Sequence, residues 1–361
     1  MSVFSNLPER ESFVCTKREP VFIFGTGSFG RSVAEACIAN GIEVKAFIQA
    51  TPTAHSVDGI AVRSWAGFSE GEKDLPLLIG IFNRETPFDS LVALASTAGF
   101  HRIVLPYDIY AQFGTELGWR YWLSGPDFLR AHVNELNDVY DLLADEESKN
   151  CLEQLVKFRL GLNLSYSSFV HQEPQYFNDI SLSRFKGSPI RYVDAGAYNG
   201  DSFLSLREVH EVSVAYLFEP DLKNFVALVS NTQSLGHPAL CLPIGLAKRH
   251  ELVRFKGSLG EAGHLDPQGE DGIMTAALDD LLQGQSVDLI KLDIEGAEID
   301  ALVGMKRTLT SHGPNLAVSS YHRPEDLWAL IKFFLGTGLD SRFYFRQHAF
   351  NSFDLVLYVV K

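Results

Sequence analysis

The chain has 361 residues, 46% of them hydrophobic, which is enough to bury a sizeable core and suggests about two domains. Its 31 basic and 45 acidic residues leave a net charge of −14, which repels phosphate backbones and anionic lipid surfaces, so neither nucleic acid nor a membrane is an expected partner. Four scattered cysteines without CxxC pairing indicate neither a disulfide framework nor a zinc site, and with no signal or transmembrane segment in view a reducing cytoplasm is the expected setting.

Val21–Phe24 is a β-rich run that leads straight into GTGSFG, whose Gly25, Gly27 and Gly30 have GxGxxG spacing. A helix from Arg31 to about Asn40 and a strand over Ile42–Ile48 complete a βαβ unit, so this turn is a candidate nucleotide site. The second strand ends at Gln49, where a dinucleotide fold carries an acid for the ribose, and this weakens an NAD assignment. The plainer alternative is that the glycines only permit close helix–strand packing. Strands over Leu77–Ile81 and His101–Leu105, with a helix over about Phe88–Ala98, make residues 1–110 a small Rossmann-like α/β domain.

From residue 111 to 185 the strand pattern stops. Leu136, Val139, Tyr140, Leu142, Leu143, Leu152, Leu155, Val156 and Phe158 recur at helical spacing among charges, which predicts a linker of amphipathic helices. QEPQYF, with Tyr176 and Phe177, stands where it can cover a cofactor cleft or, equally, pack at an interface.

Residues 186–361 repeat the βα rhythm. RYVDAGAYNG reads as a strand that ends in Asp194 and passes through Gly196 and Gly200 into a helix. Val214–Phe218 is the next strand and ends at Glu219, 25 positions beyond Asp194, where a carboxylate can accept from both hydroxyls of an adenosine ribose. Asp194 lies where NAD would place its pyrophosphate, so a dinucleotide meets like charge there, whereas S-adenosylmethionine has no phosphate and carries two cationic groups. Leu240–Ala247 and Glu251–Phe255 follow as strands, then a glycine-rich loop, Gly257–Gly272, long enough to act as a lid. In VDLIKLDIEGAEIDAL the period of two puts Lys291, Asp293 and Glu295 on one side of a strand, and Gly296 turns the chain into a helix that brings Glu298 beside Glu295. Leu316–Ser320 ends in SSYHRPEDL, so His322 stands at a strand end as a candidate base for a substrate hydroxyl. Ser341–Arg346 and Phe353–Val360 read as an antiparallel hairpin on the sheet edge.

VDAGAYNGDSF, YLFEPDLKNF, LDDLL, IKLDIEGAE and SYHRPEDL occur in the order and with the residue types of FkbM-type S-adenosylmethionine-dependent methyltransferases, a resemblance that covers about Gln175–Lys361. It implies a class I methyltransferase sheet, mostly parallel with an antiparallel last strand, and O-methylation of a hydroxyl on a sugar, glycan precursor or related small molecule. Carried over by motif, Asp194, Gly196, Gly200 and Glu219 look like cofactor contacts, and Asp293, Glu295 and His322 like the substrate side. Magnesium bridged by Asp293 and Glu295 is an alternative way to lower the hydroxyl's pKa. The N-terminal part is similar, through VFIFGTGSFGR and IGIFNRE, to the nucleotide-sugar-binding domain that precedes some sugar acetyltransferases. An NAD-dependent sugar oxidoreductase and a non-catalytic nucleotide-sugar-binding protein are the rival readings, and self-association into a homo-oligomer stays open.

Overall fold

The structure, a computed structural model, describes residues 3–10, 13–165, 169–233, 239–257 and 263–361. It comprises two compact units, one of Met1–Asn137, Asn150–Val170 and Ala349–Asp354, the other of Asp138–Lys149, His171–His348 and Leu355–Lys361.

In the first unit a six-stranded sheet contains β1 (Val21–Phe24), β2 (Val44–Ile48), β3 (Ser56–Val57), β4 (Ile60–Arg63), β5 (Leu77–Ile79) and β6 (Ile103–Val104) in the order β3-β4-β2-β1-β5-β6. β1 pairs in parallel with β2 and β5, and all four of its residues are buried, as befits a central strand covered on both faces. The hairpin of β3 and β4 was not anticipated from the sequence, although Asp58-Gly59, both at positive φ, is a strong two-residue turn signal. The helix after β1 spans Ser28–Ala39, three residues earlier than expected, with Gly27 as its N-cap. Further helices at Pro106–Leu117 and Pro126–Ala131 lie in this unit, while Val133–Leu142 and Glu146–Arg159 contribute residues to both units, and all follow the amphipathic pattern of the sequence. Ala349–Asp354 is held inside this unit: Phe88 N–H donates to Asn351 Oδ1 at 3.0 Å, and Asn351 Nδ2 donates to the carbonyls of Asn83 and Thr86 at 2.8 and 2.7 Å.

The second unit is built on β7 (Ile190–Ala195), β8 (Val212–Phe218), β9 (Ala239–Leu242), β10 (Gly245–Leu246), β11 (Glu251–Lys256), β12 (His264–Leu265), β13 (Asp271–Ala276), β14 (Leu289–Leu292), β15 (Asn315–Ser319), β16 (Arg342–Gln347) and β17 (Leu355–Val360). Its main sheet has the order β16-β17-β15-β14-β7-β8-β9. β7, β8, β9, β14 and β15 are parallel, and β17 runs antiparallel between β15 and β16, so the last strand has the expected direction. Tyr192, Phe203, Leu217, Leu289 and Tyr358 anchor the core on one face. The strand expected over Leu240–Ala247 is two strands in different sheets: β9 closes the main sheet, while β10 joins a smaller one of order β10-β13-β11-β12. Pro243, which has no N–H to continue a ladder, lies at the break. Of the loop expected over Gly257–Gly272, residues 258–262 lie outside the described residues, and the remainder holds β12 and the start of β13, both antiparallel to β11.

Candidate active site

β8, β7 and β14 are neighbouring parallel strands, so their carboxyl ends share one edge of the sheet, the edge at which α/β folds bind ligands. Register sets Lys291 of β14 beside Asp194 of β7. The two form a buried ion pair at 3.0 Å, with side chains 4% and 0% exposed. Ser202 Oγ donates to the other oxygen of Asp194 at 2.5 Å, and Lys291 Nζ also donates to the carbonyl of Gly196 at 2.7 Å. Burial pushes the Asp194 carboxyl up and opposes the charge on Lys291, but the short contact between them keeps Lys291 above its ordinary value. The structure therefore places Asp194 beneath the strand end, with both oxygens engaged by the protein.

Above this pair the chain turns through Gly196, at φ +77°, where a Cβ would stand 1.9 Å from the carbonyl oxygen of Asp293. Only glycine lets the turns after β7 and β14 come so close. Gly200, at φ +91°, caps the helix Asp201–Val209, whose first amides are taken by side chains: Asp201 N–H donates to Asn199 Oδ1 at 3.1 Å and Ser202 N–H to Asp201 Oδ1 at 2.8 Å. That helix start therefore does not present its N–H groups to a pyrophosphate, and its own acid would repel one. Glu219, 6% exposed, accepts from Tyr198 N–H through Oε2 and from Asp221 N–H through Oε1, both at 2.9 Å. Burial outweighs these two bonds and pushes Glu219 up to about 7. Each of its oxygens keeps a lone pair, so the two offer the acceptors that a pair of vicinal ribose hydroxyls requires.

On the other side of Asp194, beyond β14, three candidate residues meet. His322, 0% exposed, faces Glu298 Oε1 through Nδ1 at 2.7 Å, while its Nε2 is 3.4 Å from Asp293 Oδ1 and 3.7 Å from Glu295 Oε2. Burial disfavours a charge on this imidazole, but Glu298, Glu295 and Asp293 override it and push His322 up to about 10. An imidazolium has no lone pair with which to take a proton near neutrality, so the base expected from the sequence is instead a cationic hub. Glu298, 1% exposed, also accepts from the N–H groups of Ile294 and Gly296 at 3.1 and 3.4 Å, which accounts for it structurally. Glu295 is not its helical neighbour as expected: the helix begins at Glu298, and Glu295 sits in the turn before it at φ +54°.

The side chain of Asp293 is 27% exposed, the most open carboxylate of the group around His322. Burial pushes it up, yet the charges of Lys291 and His322 and hydrogen bonds from Ser319 and Tyr176 hold it below the ordinary carboxylate range. Among the described residues no group of three or more His, Cys, Asp or Glu side chains is arranged to hold a metal ion. The imidazolium of His322 stands between Asp293 and Glu295, where a bridging cation would have to sit, so these residues do not fit the magnesium expected as an alternative.

Asp194, Gly196, Gly200, Glu219, Asp293, Glu295 and His322 thus gather at one sheet edge, whereas Gly25, Gly27 and Gly30 belong to the other unit. There Gly25 has φ +109°, and a Cβ on Gly30 would stand 2.3 Å from the carbonyl oxygen of Gly25. Gln49 Nε2 donates to Thr26 Oγ1 at 2.6 Å and its Oε1 accepts from Thr53 N–H at 3.2 Å, so the residue in the place of the ribose acid is tied to its own turn. Sequence reasoning passed over Tyr198, Ser202 and Ser319, whose contacts depend on register and turn geometry. The serines of SSYH, at a strand end, were the only hint of Ser319.

Residues 194–351 match the model of the methyltransferase FkbM domain. A methyltransferase FkbM from Methylobacillus flagellatus is similar in structure over 94% of this chain and 89% of its own, at 23% identity and a TM-score of 0.74, and shares the fold. An rRNA methylase from Streptococcus thermophilus (15% identity, TM-score 0.33, 51% of this chain and 92% of its own) and a putative methyltransferase from Streptococcus mutans in complex with SAH (13%, 0.32, 50% and 93%) are more distant and bear no weight. No curated protein matches the chain. Strand order, the acid-closed strand ends and the family match agree in making residues 194–351 similar to the methyltransferase FkbM domain.

Proposed function

We propose that the protein is an S-adenosylmethionine-dependent O-methyltransferase acting on a hydroxyl of a sugar, glycan precursor or related small molecule. The observation that carries this reading is the pair of carboxylates flanking β7: Glu219 retains lone pairs for ribose hydroxyls and Asp293 is partly open, while Asp194 between them is neutralised by Lys291. S-adenosylmethionine supplies an activated methyl group on a sulfonium, for in-line transfer to an oxygen. Glu219 binds the ribose, and the turn from Gly196 to Gly200 carries Tyr198, whose amide fixes that carboxylate. Asp293 takes the acceptor's proton. A carboxylate held below its usual range is a weak base, but a hydroxyl becomes strongly acidic as its oxygen gains a methyl, so a well-placed weak base suffices. His322 holds Asp293 in place from one side and is itself shared with Glu295.

The test is calorimetric binding of S-adenosylhomocysteine. Glu219→Ala is expected to abolish binding with the fold retained, and wild-type affinity to weaken as pH falls through about 7, where Glu219 takes up a proton. Unchanged binding by the variant would sink the assignment. Formation of S-adenosylhomocysteine from S-adenosylmethionine against a panel of glycans then identifies the acceptor. For the first unit, the glycine turn supports a nucleotide-sugar ligand, and a thermal shift of the whole protein with nucleotide-sugars but not with NAD is the expected outcome.

A further inference from the structure

Tyr176 precedes β7 by more than a dozen residues, yet its side chain ends beside the carboxylate beyond β14. Its φ of +69° lies in a region that side chains other than glycine rarely adopt. The conformation is pinned from outside the site: Tyr176 N–H donates to Tyr358 Oη at 3.3 Å, and its carbonyl accepts from Ser181 Oγ at 2.6 Å. Asn178 Nδ2 donates to the same Tyr358 Oη at 2.9 Å, so β17 holds the whole segment. A strained backbone at a buried aromatic residue, fixed by this many contacts, points to a side chain whose position matters.

That position is specific. The Tyr176 hydroxyl donates to Asp293 Oδ2 at 2.9 Å and lies 3.2 Å from Ser319 Oγ, and Lys291 Nζ is 5.4 Å from the centre of its ring. Resting on the reading of Asp293 as the proton acceptor, we infer that Tyr176 is a positioning residue of the methyl-transfer site: its hydroxyl fixes the Asp293 carboxylate through Oδ2, and its ring covers the Lys291–Asp194 ion pair.

The need for such a residue follows from the charges around Asp293. Lys291 faces it from β14 and His322 from the turn after β15, both cationic, with the carboxylate of Glu295 alongside. A carboxylate free to rotate between two cations would swing onto one of them and turn away from an acceptor. The charge-assisted bond from a rigid tyrosine holds Oδ2, leaves Oδ1 toward His322, and keeps the remaining lone pairs in one orientation. The aromatic face over Lys291 adds a cation–π contact, which keeps that ammonium on Asp194.

Tyr176→Phe in the full-length chain removes the hydroxyl and keeps the ring. With aspartate labelled with ¹³C at Cγ, and the Asp293 signal assigned by its loss in Asp293→Asn, the wild-type midpoint should lie below the ordinary carboxylate range. In Tyr176→Phe it should rise by roughly half a pH unit or more, because one hydrogen bond to the charged form is gone. Tyr358→Phe, which loosens the segment from outside the site, should move the same midpoint in the same direction and serves if Tyr176→Phe does not fold. An unchanged midpoint in a folded variant overturns the inference. Affinity of Tyr176→Phe for S-adenosylhomocysteine should stay within about twofold of wild type, and a drop of about tenfold or more would put Tyr176 in the cofactor site instead. If the wild type does not bind S-adenosylhomocysteine the transferase reading fails, while the Asp293 titration still decides whether Tyr176 holds that carboxylate.

Discussion

His322 owes its charge to the carboxylates around it rather than to solvent. Glu298, Glu295 and Asp293 converge on a side chain that water does not reach, and their attraction exceeds the cost of burying the imidazolium. The same geometry makes the residue a stability determinant. Its folded value of about 10 lies above the ordinary 6.5, so its contribution is fully present below about 6.5 and is lost as pH rises through about 10. His322→Phe leaves buried carboxylates without their cation, Glu298 at 1% exposure first among them, and Asp326, already pushed up by burial and by Glu298, close by. The expected cost is about 3–5 kcal/mol near pH 7, read by urea denaturation, with the decline of wild-type stability between about pH 7 and 10 flattened in the variant. A variant as stable as wild type at pH 7 would mean that the imidazole is neutral and the assignment of its charge is wrong.

At the scale of elements the site depends on how closely the turns after β7 and β14 approach. Gly196→Ala would force a Cβ to within 1.9 Å of the Asp293 carbonyl at a φ of +77°, so these turns must separate. A loss of about 3 kcal/mol or more, seen as a lowered melting temperature together with weakened S-adenosylhomocysteine binding, is the expected outcome. The strands that create this edge were legible in the sequence because each is an apolar run closed by an acid: YVD, YLFE and IKLD. The pairing beneath them was not. A period of two groups Lys291 with Asp293 and Glu295, but β14 stops at Leu292, alternation ends there, and register with β7 gives the ammonium to Asp194. Local sequence carries no register between strands about a hundred residues apart. Tyr176 was visible only as an aromatic near the domain, since its reach to Asp293 follows from a backbone conformation that nothing in QEPQYF announces.

For the molecule as a whole, the second unit draws on chain well before its first strand in the main sheet. Ala144 N–H donates to the carbonyl of Phe343 at 2.9 Å, and Leu143 bridges Phe343 in parallel, so this stretch covers the outer edge of β16. Arg346, 4% exposed, directs its guanidinium to Asp145 at 2.7 Å, Glu147 at 3.2 Å and Ser148 Oγ at 2.8 Å. A chain that begins at residue 186 keeps every strand of the main sheet but loses all of these groups, along with Tyr176 and Asn178, which donate to Tyr358. A buried guanidinium deprived of its carboxylates costs about 3–5 kcal/mol, a large share of the roughly 5–15 kcal/mol that stabilises a domain. The truncated chain should therefore unfold at much lower urea and aggregate through the bared edge of β16. Arg346→Met in the truncated chain should recover part of the loss, because an apolar side chain of similar length removes the unpaired charge. A truncated chain with the urea midpoint of the full protein, or one that Arg346→Met destabilises further, would show that residues 143–148 are not what holds that edge of the sheet.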